Sequence, residues 1–218
     1  MKRREFSISA ASVMTASALA VAAPAALAQG KKPEEGVDYI SIGKPAAVEA
    51  PAGKIEVVEF FWYSCPHCNA FEPKLEAWIK NAPKDVVVRR VPVAFRDDFV
   101  PQQRLFYTLE ALNKVDEVHR KVFTAIHMER QALNTQDSIA NWAEKQGIDK
   151  AKFLELYNSF SISSKARRAS QLQEAFKVQG VPALGIAGRF YTDGSLAQNM
   201  DKALAVTDYL IAEVRKGR

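Results

Sequence analysis

The feature that most constrains the fold is an apolar, β-branched run at positions 55–63, Ile-Glu-Val-Val-Glu-Phe-Phe-Trp-Tyr. Such a near-continuous run is typical of a strand that is buried on both faces of a sheet. A helical pattern follows, because Phe71, Leu75 and Ile79 recur with helical spacing. A second strand-like run at 86–95 completes a strand–helix–strand unit. This unit favours a parallel sheet with a right-handed crossover.

The remaining pattern predicts a helical segment inside an α/β fold. Between residues 101 and 179, apolar stripes recur with the spacing typical of the core-facing sides of a small helical bundle. After Gly180, two short strand-like runs flank Gly188 and indicate a hairpin. A last helix is predicted from about Met200 to Val214. The predicted fold class is therefore α/β, with a sheet interrupted by an inserted helical domain.

Composition and charge are those of an ordinary globular protein. Of the 218 residues, 48% are hydrophobic and 25% are charged, which argues against disorder and coiled coils. The formal net charge is +5. Part of this charge comes from Lys2, Arg3 and Arg4 in the leader described next. The remaining excess is too small and too dispersed for a nucleic-acid surface, so we expect no nucleic-acid partner.

The first residues have the parts of a secretory signal peptide. A basic start is followed by an uncharged stretch from Phe6 to Gly30, which contains Ala-Leu-Ala at 26–28. We predict a cleavable signal peptide at 1–28, and a membrane anchor is the alternative. Export by the general secretory route is favoured, although the paired arginines also resemble a twin-arginine signal. The leader therefore predicts a location outside the cytosol.

The chain has two cysteines, Cys65 and Cys68. Their number excludes a framework of several disulfides and a zinc site made of four cysteines. Outside the cytosol such a pair is free to be oxidised, but the loop between them is too small to be a useful staple. A redox function is therefore favoured over a stabilising one. The alternative is half of a metal site completed by histidines, and we expect no metal.

The residues between the cysteines indicate which redox reaction the pair performs. Pro66 suits the first turn of a helix, so Cys65 would lie at the helix N-terminus, where partial positive charge favours a thiolate. His67 can add positive charge to the same sulfur. A disulfide has no thiolate to stabilise, so the same interactions favour the reduced pair. This chemistry predicts a pair that donates its disulfide.

The motifs also carry a family resemblance. The segment Glu-Phe-Phe-Trp-Tyr-Ser-Cys-Pro-His-Cys at 59–68, with Gly-Val-Pro-Ala at 180–183, closely resembles the DsbA family of periplasmic thiol:disulfide oxidoreductases. The resemblance implies a thioredoxin-like domain formed by 29–98 and 180–218. It also implies an inserted helical domain at 99–179.

The resemblance implies a function for each site residue. Cys65 would be the exposed, reactive sulfur and Cys68 the buried, resolving one. Glu59 lies in the apolar strand, where a lone carboxylate is costly. Burial would raise its pKa and let it exchange a proton with Cys68; a solvent-facing strand residue is the alternative. Pro182 would follow a cis peptide bond and leave the backbone of Val181 available to an extended substrate.

The predicted activity is oxidation of newly exported proteins that carry free thiols. The Cys65–Cys68 disulfide would be donated through a mixed disulfide at Cys65, with no bound cofactor. The resemblance implies that a quinone-linked membrane partner of the DsbB type reoxidises the pair, and we expect a monomer. The alternatives are a disulfide reductase or isomerase and a non-catalytic metal or peptide chaperone.

Overall fold

The structure is a computed structural model that describes residues 31–217. The predicted signal peptide, 1–28, lies outside these residues. A five-stranded sheet forms the centre of the unit Pro33–Arg218. Its strands, in chain order, are β1 (Ile40–Ser41), β2 (Ile55–Phe61), β3 (Val86–Pro92), β4 (Ala183–Ile186) and β5 (Phe190–Asp193). The order across the sheet is β1–β5–β4–β2–β3.

Strand β2 occupies the position that its sequence predicts. All seven of its residues are buried, and it runs parallel to β3 on one side and antiparallel to β4 on the other. The register pairs Glu59 with Arg90 of β3 and with Leu184 of β4. The strand–helix–strand unit and the hairpin of β4 and β5 are also confirmed.

Helices cover both faces of the sheet. On one face, Val57 of β2 packs in a cluster with residues of the first and last helices, and on the other face Val58 and Phe60 pack in a cluster with residues of the middle helices. The helices are α1 (Pro66–Asn81), α2 (Val100–Ala111), α3 (Val115–His127), α4 (Gln136–Lys145), α5 (Lys150–Tyr157), α6 (Phe160–Ala175) and α7 (Met200–Arg215). A short 3₁₀ turn, Asp97–Phe99, precedes α2.

Two elements end earlier than the sequence predicts. Strand β3 ends at Pro92 and not at residue 95, because its parallel partner β2 ends opposite it, at Phe61. Helix α6 ends at Ala175, before the end of the predicted helical segment at residue 179. Shortly after its end, Lys177 adopts a left-handed conformation with φ of 54°, which a continuing helix does not allow.

No helix within residues 31–217 combines the length and apolar character required to cross a membrane.

The contact between the helical segment and the sheet generates a stability prediction at Gly185 of β4. A Cβ at this position would lie 2.5 Å from the ring of Phe176, which is fully buried after α6. Gly185→Ala should therefore lower the free energy of unfolding by about 1–3 kcal/mol, because the ring must shift in a close-packed core. Urea unfolding of the purified protein measures this loss.

The matched control is Gly180→Ala, because no atom lies within 4 Å of the added Cβ. We expect this variant to stay within about 0.5 kcal/mol of the parent protein. Equal stability of the two variants would show that Phe176 does not hold the helices against β4.

Candidate active site

The two cysteines lie where the central strand passes into a helix. Strand β2 ends at Phe61, and Cys65 is the N-cap residue of α1 with extended backbone angles. Pro66 opens the helix, as predicted, since its missing N–H costs nothing in the first turn. Cys68 lies in the same first turn. Both cysteines are free thiols in this structure.

The surroundings of Cys65 favour its thiolate. A hydrogen bond with the Cys68 thiol is the largest cause, and together with the backbone N–H groups of Cys68 and His67 it lowers the pKa of Cys65 to about 6, although burial acts in the opposite direction. The charge of His67 adds a smaller lowering. His67 itself is exposed on the first turn of α1. The prediction of a stabilised thiolate at the helix N-terminus thus has a definite structural basis.

The prediction that Cys65 is exposed is wrong, although Cys65 is more exposed than Cys68. Cys65 keeps only 8% of its surface, compared with 1% for Cys68. The cause is the segment before β4, where the Cys65 Sγ lies 3.4 Å from the carbonyl oxygen of Val181. The Val181–Pro182 peptide bond is cis, as predicted. The structure therefore brings Val181 and Pro182 against the cysteine pair.

The environment of Cys68 is the opposite of that of Cys65. Burial raises the pKa of Cys68 far above its ordinary value, and the hydrogen bond and charge of Cys65 raise it further. Glu59, when ionised, contributes in the same direction. The reduced pair is therefore one thiolate, at Cys65, held by one buried thiol, at Cys68.

Glu59 is a fully buried carboxyl group on β2. Neither of its carboxyl oxygens has a hydrogen-bond partner among the described residues, although Oε2 lies 3.2 Å from Nε of Arg90. Burial raises the pKa of Glu59 well above its ordinary value, and the charge of Glu72 adds to this, while Arg90 acts against it. The alternative of a solvent-facing strand residue is wrong.

A buried polar network that the sequence did not predict lies beside Glu59. Arg90 donates two hydrogen bonds to Glu72, from Nε to Oε1 at 2.9 Å and from a terminal nitrogen to Oε2 at 3.0 Å. His119 of α3 contacts the same Oε1 through Nε2 at 2.6 Å. The hydroxyl of Tyr63 lies 2.8 Å from the other ring nitrogen of His119.

The network has one consistent arrangement of protons. Burial lowers the pKa of His119, so its imidazole is neutral. It donates its Nε2–H to Glu72 and accepts the hydroxyl proton of Tyr63 at Nδ1. Burial alone would raise the pKa of Glu72, but hydrogen bonds from His119 and Arg90 lower it to about 2. Glu72 is therefore ionised beside a carboxyl group, Glu59, that resists ionisation.

The helical segment also fixes the backbone just before Cys65. Gln102 of α2 accepts a hydrogen bond from the backbone N–H of Ser64 at 3.2 Å and donates one to its hydroxyl at 2.7 Å. His127 of α3 contacts the carbonyl oxygen of Tyr63 through Nε2 at 2.8 Å. The sequence pattern assigned no role at the site to His119 or His127. The one signal in the sequence was their spacing of eight residues, which places both histidines on a similar face of α3.

No group of three or more His, Cys, Asp or Glu side chains is arranged to hold a metal ion in the part of the chain that the structure describes.

A Cys-Pro-His-Cys turn at the N-terminus of a helix, opposite a cis-proline and after a buried central strand, defines a thioredoxin-fold protein that exchanges thiols and disulfides. The chain belongs to the family of DSBA-like thioredoxin domains, whose family model matches residues 56–205.

Relatives with known names agree with this assignment. The chain is 47% identical to the thiol:disulfide interchange protein DsbA of Bordetella parapertussis over 208 residues, which cover 94% of this chain and 96% of the relative. It is 40% identical to the protein of the same name from Burkholderia cepacia, with 92% of each chain covered. The enzyme class is thus that of the thiol:disulfide oxidoreductases.

Solved structures support the fold. The crystal structure of Pseudomonas aeruginosa DsbA superposes with a TM-score of 0.80 at 39% identity, over 85% of this chain and 96% of that one. The predicted thioredoxin-like fold with a helical insertion is therefore confirmed.

The polar network predicts a large stability cost at His119. His119→Phe retains a ring that can pack against Phe61 and Phe123, but it removes one hydrogen bond to an ionised carboxylate and one to a buried hydroxyl. We expect the free energy of unfolding to fall by about 2–3 kcal/mol, because buried polar groups lose their partners. Chemical denaturation of the reduced protein provides the measurement.

The control is His127→Phe on the same helix, which removes one hydrogen bond to a backbone carbonyl at a half-buried position. Its expected loss is about 1 kcal/mol. Similar losses for both variants would mean that His119 contributes no more than an ordinary hydrogen bond.

Proposed function

We propose that this protein is a periplasmic dithiol oxidase that donates the Cys65–Cys68 disulfide to newly exported proteins with free thiols. The observation that supports this proposal best is the inequality of the two sulfurs. The pKa of Cys65 is lowered to about 6, while burial raises that of Cys68. For a pair of this kind the reduced form, a thiolate and a buried thiol, is more stable than the disulfide.

The size of this preference follows from linkage. Each unit by which a pKa falls corresponds to about 1.4 kcal/mol in favour of the thiolate. For a two-electron couple, about 1.4 kcal/mol corresponds to roughly 30 mV of reduction potential. Because the disulfide gains nothing from the hydrogen bonds of the helix N-terminus, every interaction that lowers the pKa of Cys65 makes the pair more oxidising. This reasoning favours donation over reduction.

The first step of transfer forms a mixed disulfide. A substrate thiolate attacks the sulfur of Cys65, a new bond forms between these two sulfurs, and the Cys65–Cys68 bond breaks. The electron pair of the broken bond leaves on Cys68, which takes up a proton because its environment disfavours the anion. Glu59 is the acid or base we assign to this proton, since it is buried, has a raised pKa and acts electrostatically on Cys68.

The second step releases the product. A second substrate thiolate attacks the substrate sulfur of the mixed disulfide, and Cys65 leaves as a thiolate. A thiol of low pKa is a good leaving group. The substrate loses two electrons and two protons in total, and the cysteine pair gains two electrons. The redox group is the cysteine pair itself, so no bound cofactor takes part.

The backbone beside Cys65 is suited to holding an unfolded substrate. The carbonyl of Val181 already lies 3.4 Å from the sulfur, and Pro182 follows it. Main-chain hydrogen bonds to an extended peptide at Val181 would bind many sequences, because they do not depend on the substrate side chains. This tolerance is what an oxidase of diverse exported proteins requires.

The remaining parts of the proposal depend on family membership. A quinone-linked membrane oxidase of the DsbB type would accept two electrons from the reduced pair and restore the disulfide. The protein would act as a monomer in the periplasm after removal of the signal peptide at 1–28.

The equilibrium of the cysteine pair with glutathione tests the proposal. We expect glutathione to reduce the pair readily and the thiolate absorbance of the reduced protein to appear with a midpoint near pH 6, as the pKa of Cys65 requires. Oxidised protein mixed with a reduced, unfolded substrate should transfer its disulfide stoichiometrically. An ordinary thiol at Cys65, unionised at neutral pH, would overturn the oxidase.

Two variants serve as controls for the cysteine assignments. Cys65→Ser should abolish transfer, whereas Cys68→Ser should accumulate mixed disulfides, because the enzyme cannot resolve them. Tight binding of Cu(I) or Zn(II) without disulfide transfer would favour a metal chaperone. A strongly reducing pair would favour a reductase.

Glu59 has its own test in the oxidation of the reduced protein by glutathione disulfide. In this reaction Cys68 must lose its proton to resolve the mixed disulfide. Glu59→Gln cannot accept that proton, so we expect the resolution rate to fall by about tenfold or more and its pH profile to lose one inflection. The pKa of Cys65 should stay near 6 in the same variant.

Glu56→Gln is the matched control. Glu56 is also buried on β2, but it accepts a hydrogen bond from Arg89 at 3.1 Å. The control should retain the parental pH profile. If both variants keep that profile, the proton of Cys68 travels by another route.

A further inference from the structure

A cavity of about 400 Å³ lies at the β3 edge of the sheet, between β3, α2 and α6. None of the residues 64–68 or 181–182 lines it. Its volume is at the lower end of the range found for ligand sites. The cavity is therefore large enough for a small molecule and separate from the cysteine pair.

The floor of this cavity is apolar. Val91 of β3 and Ala169 and Leu172 of α6 are all buried, and the ring of Tyr107 from α2 forms a further wall. A strongly hydrated inorganic ion would leave these walls uncovered. A flat apolar group would cover them and gain about 25 cal/mol for each Å² removed from water.

One basic side chain at the rim of the cavity is unpaired. Four basic and two acidic side chains line the cavity, namely Arg89, Arg90, Lys165, Arg168, Glu49 and Glu110. Arg89 pairs with Glu49 at 2.9 Å and with Glu56 at 3.1 Å, Lys165 pairs with Glu110 at 2.6 Å, and Arg90 is hydrogen-bonded to Glu72. Arg168 has no ion pair or hydrogen bond among residues 31–217.

Two donors at the cavity lack acceptors. The hydroxyl of Tyr107 makes no hydrogen bond in the described part of the chain. The Nε of Arg89 is buried without a partner. Buried polar groups in native proteins are nearly always hydrogen-bonded. These donors, beside the unpaired Arg168, indicate a ligand that supplies acceptor oxygens.

We infer that this cavity binds a small organic acid with one carboxylate and a flat apolar body. The carboxylate is an acceptor-only group with two oxygens, which matches the Tyr107 hydroxyl and the unpaired guanidinium of Arg168. The apolar body covers Val91 and Leu172. This inference is independent of the proposed disulfide exchange.

The test uses the oxidised protein with 3-phenylpropionate as the probe. Calorimetry measures the binding, and amide chemical shifts show which residues are affected. Two comparison compounds separate the contributions: 3-phenylpropanamide lacks the charge, and propionate lacks the ring. We expect saturable binding of 3-phenylpropionate with shifts at α2, β3 and α6. The two comparison compounds should bind about tenfold more weakly or not at all. The amide loses a hydrogen bond to a charged group, and propionate loses the buried ring.

Variants assign the binding to the cavity. Tyr107→Phe should weaken 3-phenylpropionate binding about tenfold, since a hydrogen bond to a charged group is lost. Arg168→Gln should weaken it about twofold to fivefold, as expected for an exposed charge. Arg167→Gln, an exposed neighbour outside the cavity lining, should leave binding unchanged. Disulfide transfer should stay at the parental rate in all three variants.

Any of three outcomes overturns the inference: no saturable binding below about 10 mM, equal binding of the acid and its amide, or unchanged binding in Tyr107→Phe. Failure of disulfide transfer in the parent protein would affect only the proposed function, since none of the binding readouts uses it.

Discussion

Two sulfurs in one helical turn experience opposite environments, and the chemistry of the protein depends on that difference. Cys65 caps α1, where the N–H groups of residues 67 and 68 stabilise a negative charge. Cys68 lies three residues further along the same turn, where burial disfavours any charge. The difference exists because β2 is buried along its whole length and delivers the chain directly into a helix N-terminus. Neither element alone would create it.

The helical insertion takes part in this site and does not merely cover it. His119 of the insertion contacts the carboxylate of Glu72 on α1. Gln102 accepts a hydrogen bond from the backbone N–H of Ser64, and His127 contacts the carbonyl oxygen of Tyr63. Buried ionic groups cost stability unless their hydrogen bonds are satisfied. Because Glu72 obtains its partners from β3 and α3 together, the correct docking of the insertion is what makes its buried charge tolerable.

The sequence predicted the elements that depend on local pattern. The strand at 55–61, the helix that begins at Pro66 and the hairpin after Pro182 all follow from apolar periodicity, turn residues and one motif. The network of Tyr63, Glu72 and His119 was not predictable in this way. Its members lie up to 56 residues apart in the chain and meet only through packing. The low exposure of Cys65 has the same origin, because the Val181 carbonyl lies 116 residues away.

The two buried carboxyl groups on β2 have different surroundings, which is why the proton exchange is proposed for only one of them. Glu56 and Glu59 lie three residues apart and therefore on opposite faces of the strand. Glu56 accepts a hydrogen bond from Arg89. Arg90 donates two hydrogen bonds to Glu72 and lies 3.2 Å from Glu59. A carboxyl group that is desolvated and beside another anion favours protonation. Because Glu72 competes for Arg90, the attraction of Arg90 only partly offsets the raised pKa of Glu59, which is what the proposed proton exchange with Cys68 requires.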